Sequence, residues 1–309
     1  MKKFLLRPVF VIFLCLFALA GCGGAQSGSA DASGGNAADA ANESEAESAA
    51  PEALSGAITV VSREDGSGTR GAFIELFGVQ DEDKTDRTAI TAEITNNTAV
   101  MMTSVAGNEN AIGYISLGSL NNSVKALRID GAAASADNIN NGSYTISRPF
   151  LIALKGAPGP VAQDFIDYIM STDGQDIIES NGYIRVAAGD TFTSAAPAGK
   201  IIIAGSSSVT PIMEKLTEAY LKINADAEIE IQQSDSSTGM NAAIDGVCDI
   251  GMASRELKDS EIEKGLSGTT IAMDGIAVIV NLNNPIDGLG KDQVRDVFMG
   301  AIGDWSGLQ

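Results

Sequence analysis

No histidine occurs anywhere in the 309 residues, and this absence removes more chemistry than any other feature of the sequence. Without imidazole there is no Ser-His-Asp or Cys-His nucleophile and no His-ligated zinc. No cluster of side chains has metal-ligand spacing and no base is spaced to activate a serine, so neither a metal nor another cofactor is expected, and no enzyme. Basic residues are scarce as well: 20 Lys and Arg stand against 40 Asp and Glu, a formal charge of −20. Nucleic acid is not expected as a partner, because phosphate backbones are bound through clustered Lys and Arg. A small anion remains open, since a buried site responds to its nearest dipoles more than to screened, distant surface charge.

Cysteine is nearly as rare. Lys2, Lys3 and Arg7 precede an apolar stretch from Val9 to Leu19, and Leu19-Ala20-Gly21-Cys22 sets small residues directly before a cysteine. Residues 1–22 therefore resemble a bacterial lipoprotein signal, with a diacylated Cys22 expected as the mature N-terminus, anchored at the extracytoplasmic face of the cell membrane. The alternative is an uncleaved transmembrane anchor, against which the apolar core is shorter than the roughly 20 residues a span needs. Cys15 then leaves with the signal and Cys22 carries lipid, so Cys248 has no partner and no disulfide is expected. Within Val247-Cys248-Asp249-Ile250 it reads as a small buried residue rather than a reactive thiol. Residues 23–55 are almost entirely Gly, Ser, Ala, Asn and acid, without aromatic, β-branched or basic side chains. Such a stretch cannot bury enough apolar surface to order itself and reads as a flexible, acidic tether.

About 250 residues remain, enough for two lobes of ordinary size. Ile58-Thr59-Val60-Val61 predicts a strand, and Ala72 to Phe77 a helix. Between them Arg63-Glu64-Asp65-Gly66-Ser67-Gly68-Thr69-Arg70 joins a strand end to a helix start. Glycines let backbone N–H groups turn inward there, Ser67 and Thr69 add hydroxyls, Arg63 adds a forked cation, and the helix N-terminus adds partial positive charge. Taken alone it is equally a polar turn with a Ser/Thr cap.

Further along, strands are expected at Ile90 to Ile94, Ala111 to Ser116 and Val124 to Ile129, a helix opens at Asn96-Asn97-Thr98, and 137–142 reads as loop. Ser147 to Leu154 is an apolar strand whose Pro149 suits an edge or a crossover better than a sheet centre. Helices follow from Pro160 and from Asp173, and 190–199, rich in Thr, Ser, Ala and Pro, reads as a linker. The pattern then restarts. Ile201 to Ala204 is a strand, Gly205-Ser206-Ser207-Ser208 a loop, and Val209, Ile212, Met213, Leu216, Tyr220 and Ile223 recur at helical spacing. Ser236-Ser237-Thr238 caps another helix, and Asp249 to Ser254 is a strand. Nothing about folding requires so many hydroxyl-rich helix starts. Two α/β units presenting them beyond strand ends suggest a ligand held between two lobes.

These motifs, together with Ala204 to Pro211, Ser236-Ser237-Thr238-Gly239, Asp249 to Arg255 and Asp274-Gly275-Ile276-Ala277-Val278, resemble the substrate-binding lipoprotein of bacterial phosphate ABC transporters. The resemblance covers nearly all of 56–309. It implies a type II periplasmic-binding-protein fold: α/β, two lobes, each a mixed sheet flanked by helices, with the ligand cleft between them. It also implies reversible capture of inorganic phosphate and delivery to membrane permease subunits. The order of segments departs from the family, in which the part like 199–309 precedes the part like 56–190. A circular permutation is inferred, the family's usual termini being joined through 188–199. The first lobe is then 56–147 plus 283–309, and the second 148–282. The runner-up is that the two halves complete each other between chains.

Carried over by motif, the phosphate ligands would be Arg63, Ser67, Gly68 and Thr69 from one lobe and Ser207, Ser208, Ser236 and Ser254 from the other. Arg63 would be the bidentate counter-ion and Asp65 would orient it. Family members often carry an aspartate where Ser254 stands, accepting the proton of hydrogen phosphate that sulfate lacks. Discrimination is therefore expected to be softer here, or to rest on Asp235 or Asp274, although Asp274 reads first as a turn residue. Other readings are a binding protein for sulfate or molybdate, a sensory or adhesive surface lipoprotein, and a phosphate-ester hydrolase, the last disfavoured without histidine.

Overall fold

The computed structural model describes residues 55–308. The signal segment, Cys22 and nearly all of the tether lie outside the described residues. No helix among the described residues is long and apolar enough to cross a membrane.

The β-branched and aromatic runs become strands and the 3.6-period runs become helices. In chain order they are β1 (Thr59–Arg63), α1 (Gly68–Phe77), β2 (Glu93–Thr95), α2 (Thr98–Ala106), β3 (Ala111–Ser116), β4 (Lys125–Ala126), β5 (Arg128–Ile129), α3 (Ala136–Asn140) and β6 (Ser147–Lys155). Then come α4 (Pro160–Met170), α5 (Thr172–Ser180), β7 (Gly199–Ser206), α6 (Thr210–Ile223), β8 (Ala227–Ser234), α7 (Ser236–Asp245) and β9 (Ile250–Ala253). The described chain closes with α8 (Asp259–Glu263), β10 (Leu266–Val280), β11 (Gly288–Leu289) and α9 (Lys291–Phe298).

The main sheet runs β2-β1-β3-β10-β6-β9-β7-β8, with β4 also on β10. It is mixed: β1 lies parallel to β2 and β3, and β7 to β8 and β9, whereas β10 is antiparallel to β3 and β6. Strand β10 changes partner along its length, pairing with β6 from Leu266 to Gly275 and with β3 from Ile276 onward. The cores divide at the same place. One group of apolar side chains, around Phe73, Tyr114, Phe298 and Trp305, draws only on 60–146 and 276–308. The other, around Phe150, Phe165, Ile203 and Tyr220, draws only on 150–272. The last described residues return to β1: Ile58 N–H donates to Gly303 O at 2.9 Å and Trp305 N–H to Gly56 O at 3.1 Å.

Four local expectations are corrected. Strand β2 begins only at Glu93, and Ile90 is fully exposed; Ala89 N–H bonds to Phe298 O and Ala92 N–H to Ala89 O, closing a turn instead. The 137–142 segment contains the short helix α3, capped by Ser135 Oγ accepting from Asn138 N–H. Strand β6, despite Pro149, is central. Its cross-strand partner Met273 spends both backbone groups on Ile184, so the Pro149 position faces away from β10, and β9 pairs only with 151–153. The missing N–H therefore falls where no ladder bond is made.

The fourth correction concerns 190–199, which is a strap bound across α4, α5 and α6 rather than a loose linker. Phe192 N–H donates to Asp173, Ser194 Oγ and Ala195 N–H donate to Asp164 at 2.6 and 2.9 Å, and Asn224 Nδ2 donates to Pro197 O. The Phe192 ring stands edge-on to Tyr168 at 5.1 Å. Burial would raise the pKa of Asp164, but hydrogen bonds from Ser194, Ala195 and Tyr220 outweigh it and hold the carboxyl below its ordinary value.

Candidate functional site

Four helices begin at one place. Helix α1 starts at Gly68 behind its N-cap Ser67, α2 at Thr98 behind Asn97, α6 at Thr210 after the Ser206–Ser208 turn, and α7 at Ser236 behind Asp235. Each contributes leading N–H groups without helical acceptors and the positive end of its dipole. Their hydroxyls meet. Those of Thr69 and Ser208 lie 2.7 Å apart, Thr69 and Ser254 3.4 Å, Thr98 and Ser208 3.3 Å, and Ser236 and Ser254 3.5 Å. Ser206 Oγ donates to Ser254 Oγ at 3.0 Å. All of these residues are buried.

Two glycines permit the approach. A Cβ on Gly68 would stand 2.4 Å from Ser236 Oγ and 2.8 Å from Ser254 Oγ, so only glycine lets the start of α1 reach α7. Gly205 has φ +137°, and a Cβ there would meet Met252 O at 2.2 Å.

Two arginines enter the cluster, each with a carboxylate at its back. Arg63, at the end of β1, donates through Nε and Nη2 to Glu64 at 2.7 Å each. Its Nη2 also donates to Ser207 Oγ at 3.0 Å, and its Nη1 to Thr98 Oγ1 at 3.5 Å. Behind it, Tyr114 OH accepts from Arg63 N–H at 3.2 Å and lies 2.9 Å from Ser62 Oγ; burial pushes this phenol up to about 12. Arg148, near the start of β6, donates through Nη1 to Asp274 at 2.5 Å and through Nη2 to Thr69 Oγ1 at 2.8 Å. Burial lowers the pKa of Arg148 and raises that of Asp274. Donors dominate this arrangement: two guanidinium groups, hydroxyls and helix N-termini converge within a few ångströms of one another, which suits a compact oxyanion.

Of the residues expected from sequence, Arg63, Gly68, Thr69, Ser207, Ser208, Ser236 and Ser254 are brought together. Ser67 is adjacent, its Oγ accepting from Arg70 N–H as the cap of α1. Asp65 does not orient Arg63. Its side chain is 98% exposed and pairs with Arg70, because the turn at Gly66 points it outward and leaves Glu64 facing the guanidinium. Asp274 is not a turn residue but lies buried inside β10, and Asp235 caps α7 through Thr238 N–H. Arg255 is held by Glu261 and Ser237. Glu64, Thr98 and Ser206 join the site without having been placed there from sequence, and Asp274, weighed from sequence only for discrimination between anions, joins it behind Arg148. Thr98 carried a signal, being a fourth hydroxyl at a helix start. Cys248 is buried, and burial pushes its thiol up to about 11.

A two-part α/β architecture with a donor-lined cluster where helix N-termini meet defines a solute-binding protein. A family model described as a PBP superfamily domain matches residues 40–173 and 190–308. Phosphate-binding protein PstS 2 of Streptococcus agalactiae is 55% identical over 258 residues, covering 82% of this chain and 88% of that protein. The crystal structure of a phosphate ABC transporter, phosphate-binding protein from Streptococcus pneumoniae is 45% identical with TM-score 0.66, covering 82% of this chain and all of that one. Phosphate-binding protein PstS of Bacillus subtilis is 30% identical over 112 residues, 36% of this chain and 37% of that protein. The chain belongs to the PBP superfamily, within the PstS family of phosphate-binding proteins, and its fold is that of a type II periplasmic-binding protein.

Proposed function

We propose that this chain captures inorganic phosphate in the cleft between its two halves and delivers it to the membrane subunits of an ABC importer. One observation carries the reading: four helix N-termini and the carboxylate-braced Arg63 converge on a single buried cluster of Ser and Thr hydroxyls. Arg63, Ser67, Gly68, Thr69, Ser207, Ser208, Ser236 and Ser254 are the ligands of the anion. Arg63 supplies the charge, and hydroxyls and leading N–H groups fill the remaining oxygen lone pairs. The chain is a binding protein, not an enzyme, and its relatives are named phosphate-binding proteins.

The two cores support lobes of 56–147 plus 283–309 and 148–282, with the change of partner along β10 moving the boundary to about 276. A circular permutation is supported by the contrast between PstS 2, whose match covers 82% of this chain, and the Bacillus protein, whose match covers 36% of it. A chain whose segments are reordered aligns with an unpermuted relative over one stretch only. The protein works outside the cytoplasm, tethered by lipid on Cys22 through residues 23–55.

A second reading, in which sulfate or molybdate also binds, is favoured by one feature. Glu64 and Asp274, the carboxylates beside the cluster, are both engaged by arginines, and Ser254 offers only a hydroxyl to the proton of hydrogen phosphate. Isothermal titration with phosphate, sulfate and molybdate tests both. Saturable heat with phosphate is expected, and silence with all three ends the transport reading.

A further inference from the structure

We propose that Arg148 is a second anion-contacting arginine of this site, held from beneath by Asp274; the proposal rests on the phosphate-binding reading. Arg148 and Asp274 face each other in register on β6 and β10, directly before the point where β10 changes partner from β6 to β3. Both side chains are almost wholly buried. A buried ion pair whose only task is to join two strands is poorly rewarded, because desolvating the two charges offsets much of their attraction. This pair does more than join strands. With Nη1 on Asp274, Arg148 extends Nη2 to Thr69 Oγ1, the hydroxyl that also touches Ser208 and Ser254. Its Nε is buried without a hydrogen-bond partner among the described residues, a donor left over beside the hydroxyl cluster. The guanidinium carbon also lies over the Phe150 ring, 5.1 Å from its centroid, within cation–π range.

The two arginines work as mirror parts. Arg63, from β1, reaches across to Ser207 at the start of α6, and Arg148, from β6, reaches back to Thr69 at the start of α1. Each half of the molecule thus sends one arginine, braced by a carboxylate, to a hydroxyl of the other half. A tetrahedral oxyanion that parts the Thr69–Ser208 hydrogen bond and takes its place would be gripped from both sides, and Asp274 acts as the positioning residue for the second grip.

Phosphate is titrated calorimetrically into the wild type, Arg148→Lys and the double variant Arg148→Leu/Asp274→Leu, with urea unfolding of each. The double variant removes both charges together and keeps apolar volume, so its fold is expected to persist, with affinity about 10- to 100-fold weaker. Arg148→Lys keeps the ion pair but loses the fork to Thr69, and is expected to bind about 10-fold more weakly while unfolding like the wild type. Affinity within twofold of wild type in either folded variant overturns the proposal and makes the pair purely structural. If the double variant does not fold, Arg148→Lys decides alone. A wild type that gives no heat with phosphate overturns the reading beneath the proposal, and the proposal with it; a binding wild type with unaffected variants overturns only the role of Arg148.

Discussion

Arg63 and Arg148 meet the same cluster but are braced in opposite ways. Arg63 leans on Glu64, its neighbour in the chain, whose side chain is 20% exposed. Arg148 leans on Asp274, which is fully buried and lies on another strand. The first brace is local and partly wetted on its carboxylate side, so losing Arg63 leaves a carboxylate that water can reach. The second is sealed in the sheet, and removing either member strands a charge. The same chemistry is therefore adjustable at one corner of the site and rigid at the other.

The largest expected effect follows from this contrast. Arg148→Leu alone should destabilise by about 3–5 kcal/mol in urea unfolding, by leaving Asp274 buried and unpaired, whereas Arg63→Ala should cost under about 2 kcal/mol. Equal losses would show that the two braces do not differ. The pH dependence has a definite sign. Burial raises the pKa of Asp274 above its unfolded value even in the wild type. Its contribution to stability is fully present below the unfolded carboxylate pKa and is lost as pH rises through the raised folded value. The penalty of Arg148→Leu should accordingly grow from acid towards neutral pH, and a flat profile would place the neutralised charge elsewhere.

Next in size is Gly68→Ala, which tests both corners at once. The added Cβ would overlap Ser236 and Ser254, separating Thr69 from Ser208, and phosphate affinity should fall about 10- to 100-fold by calorimetry with helix content unchanged by circular dichroism. Retained affinity would mean that the close approach of α1 to α7 is unnecessary. Smaller still, Glu64→Gln should weaken binding about 3- to 10-fold, because the amide still engages Arg63 without its charge. The smallest effect belongs to Asp65→Ala, expected within twofold of wild type, since Asp65 points to solvent. A large loss there would return to Asp65 the orienting role that Glu64 holds in the structure.

The contrast between the braces also explains what could be read from sequence. The loop from Arg63 to Arg70 and its counterpart at Gly205 to Ser208 carry their chemistry within a few residues, so strand, glycine turn, hydroxyl and helix start were legible together. Their convergence was suggested by the repeated pattern. Arg148 and Asp274 stand 126 positions apart. Only the register of β6 with β10 makes them partners, and a single aspartate before glycine reads locally as a turn. Glu64 was displaced by Asp65 because motif position does not reveal which side chain a φ-positive glycine turns outward. Pro149 misled for a similar reason: it excludes a sheet centre only where its missing N–H would have been used, and that depends on which way Met273 faces. The 190–199 strap was hidden by composition, since Ser, Thr and Ala there are ordered by partners on three helices rather than by each other.

The most direct test is one titration, of phosphate into the wild type and Arg63→Ala under matched conditions, with unfolding midpoints recorded for both. Anion capture at this cluster predicts saturable one-to-one binding by the wild type, and loss of about 100-fold or more in the folded variant. A folded Arg63→Ala protein that binds phosphate with unchanged affinity would contradict it and place the anion away from the meeting point of the four helix starts.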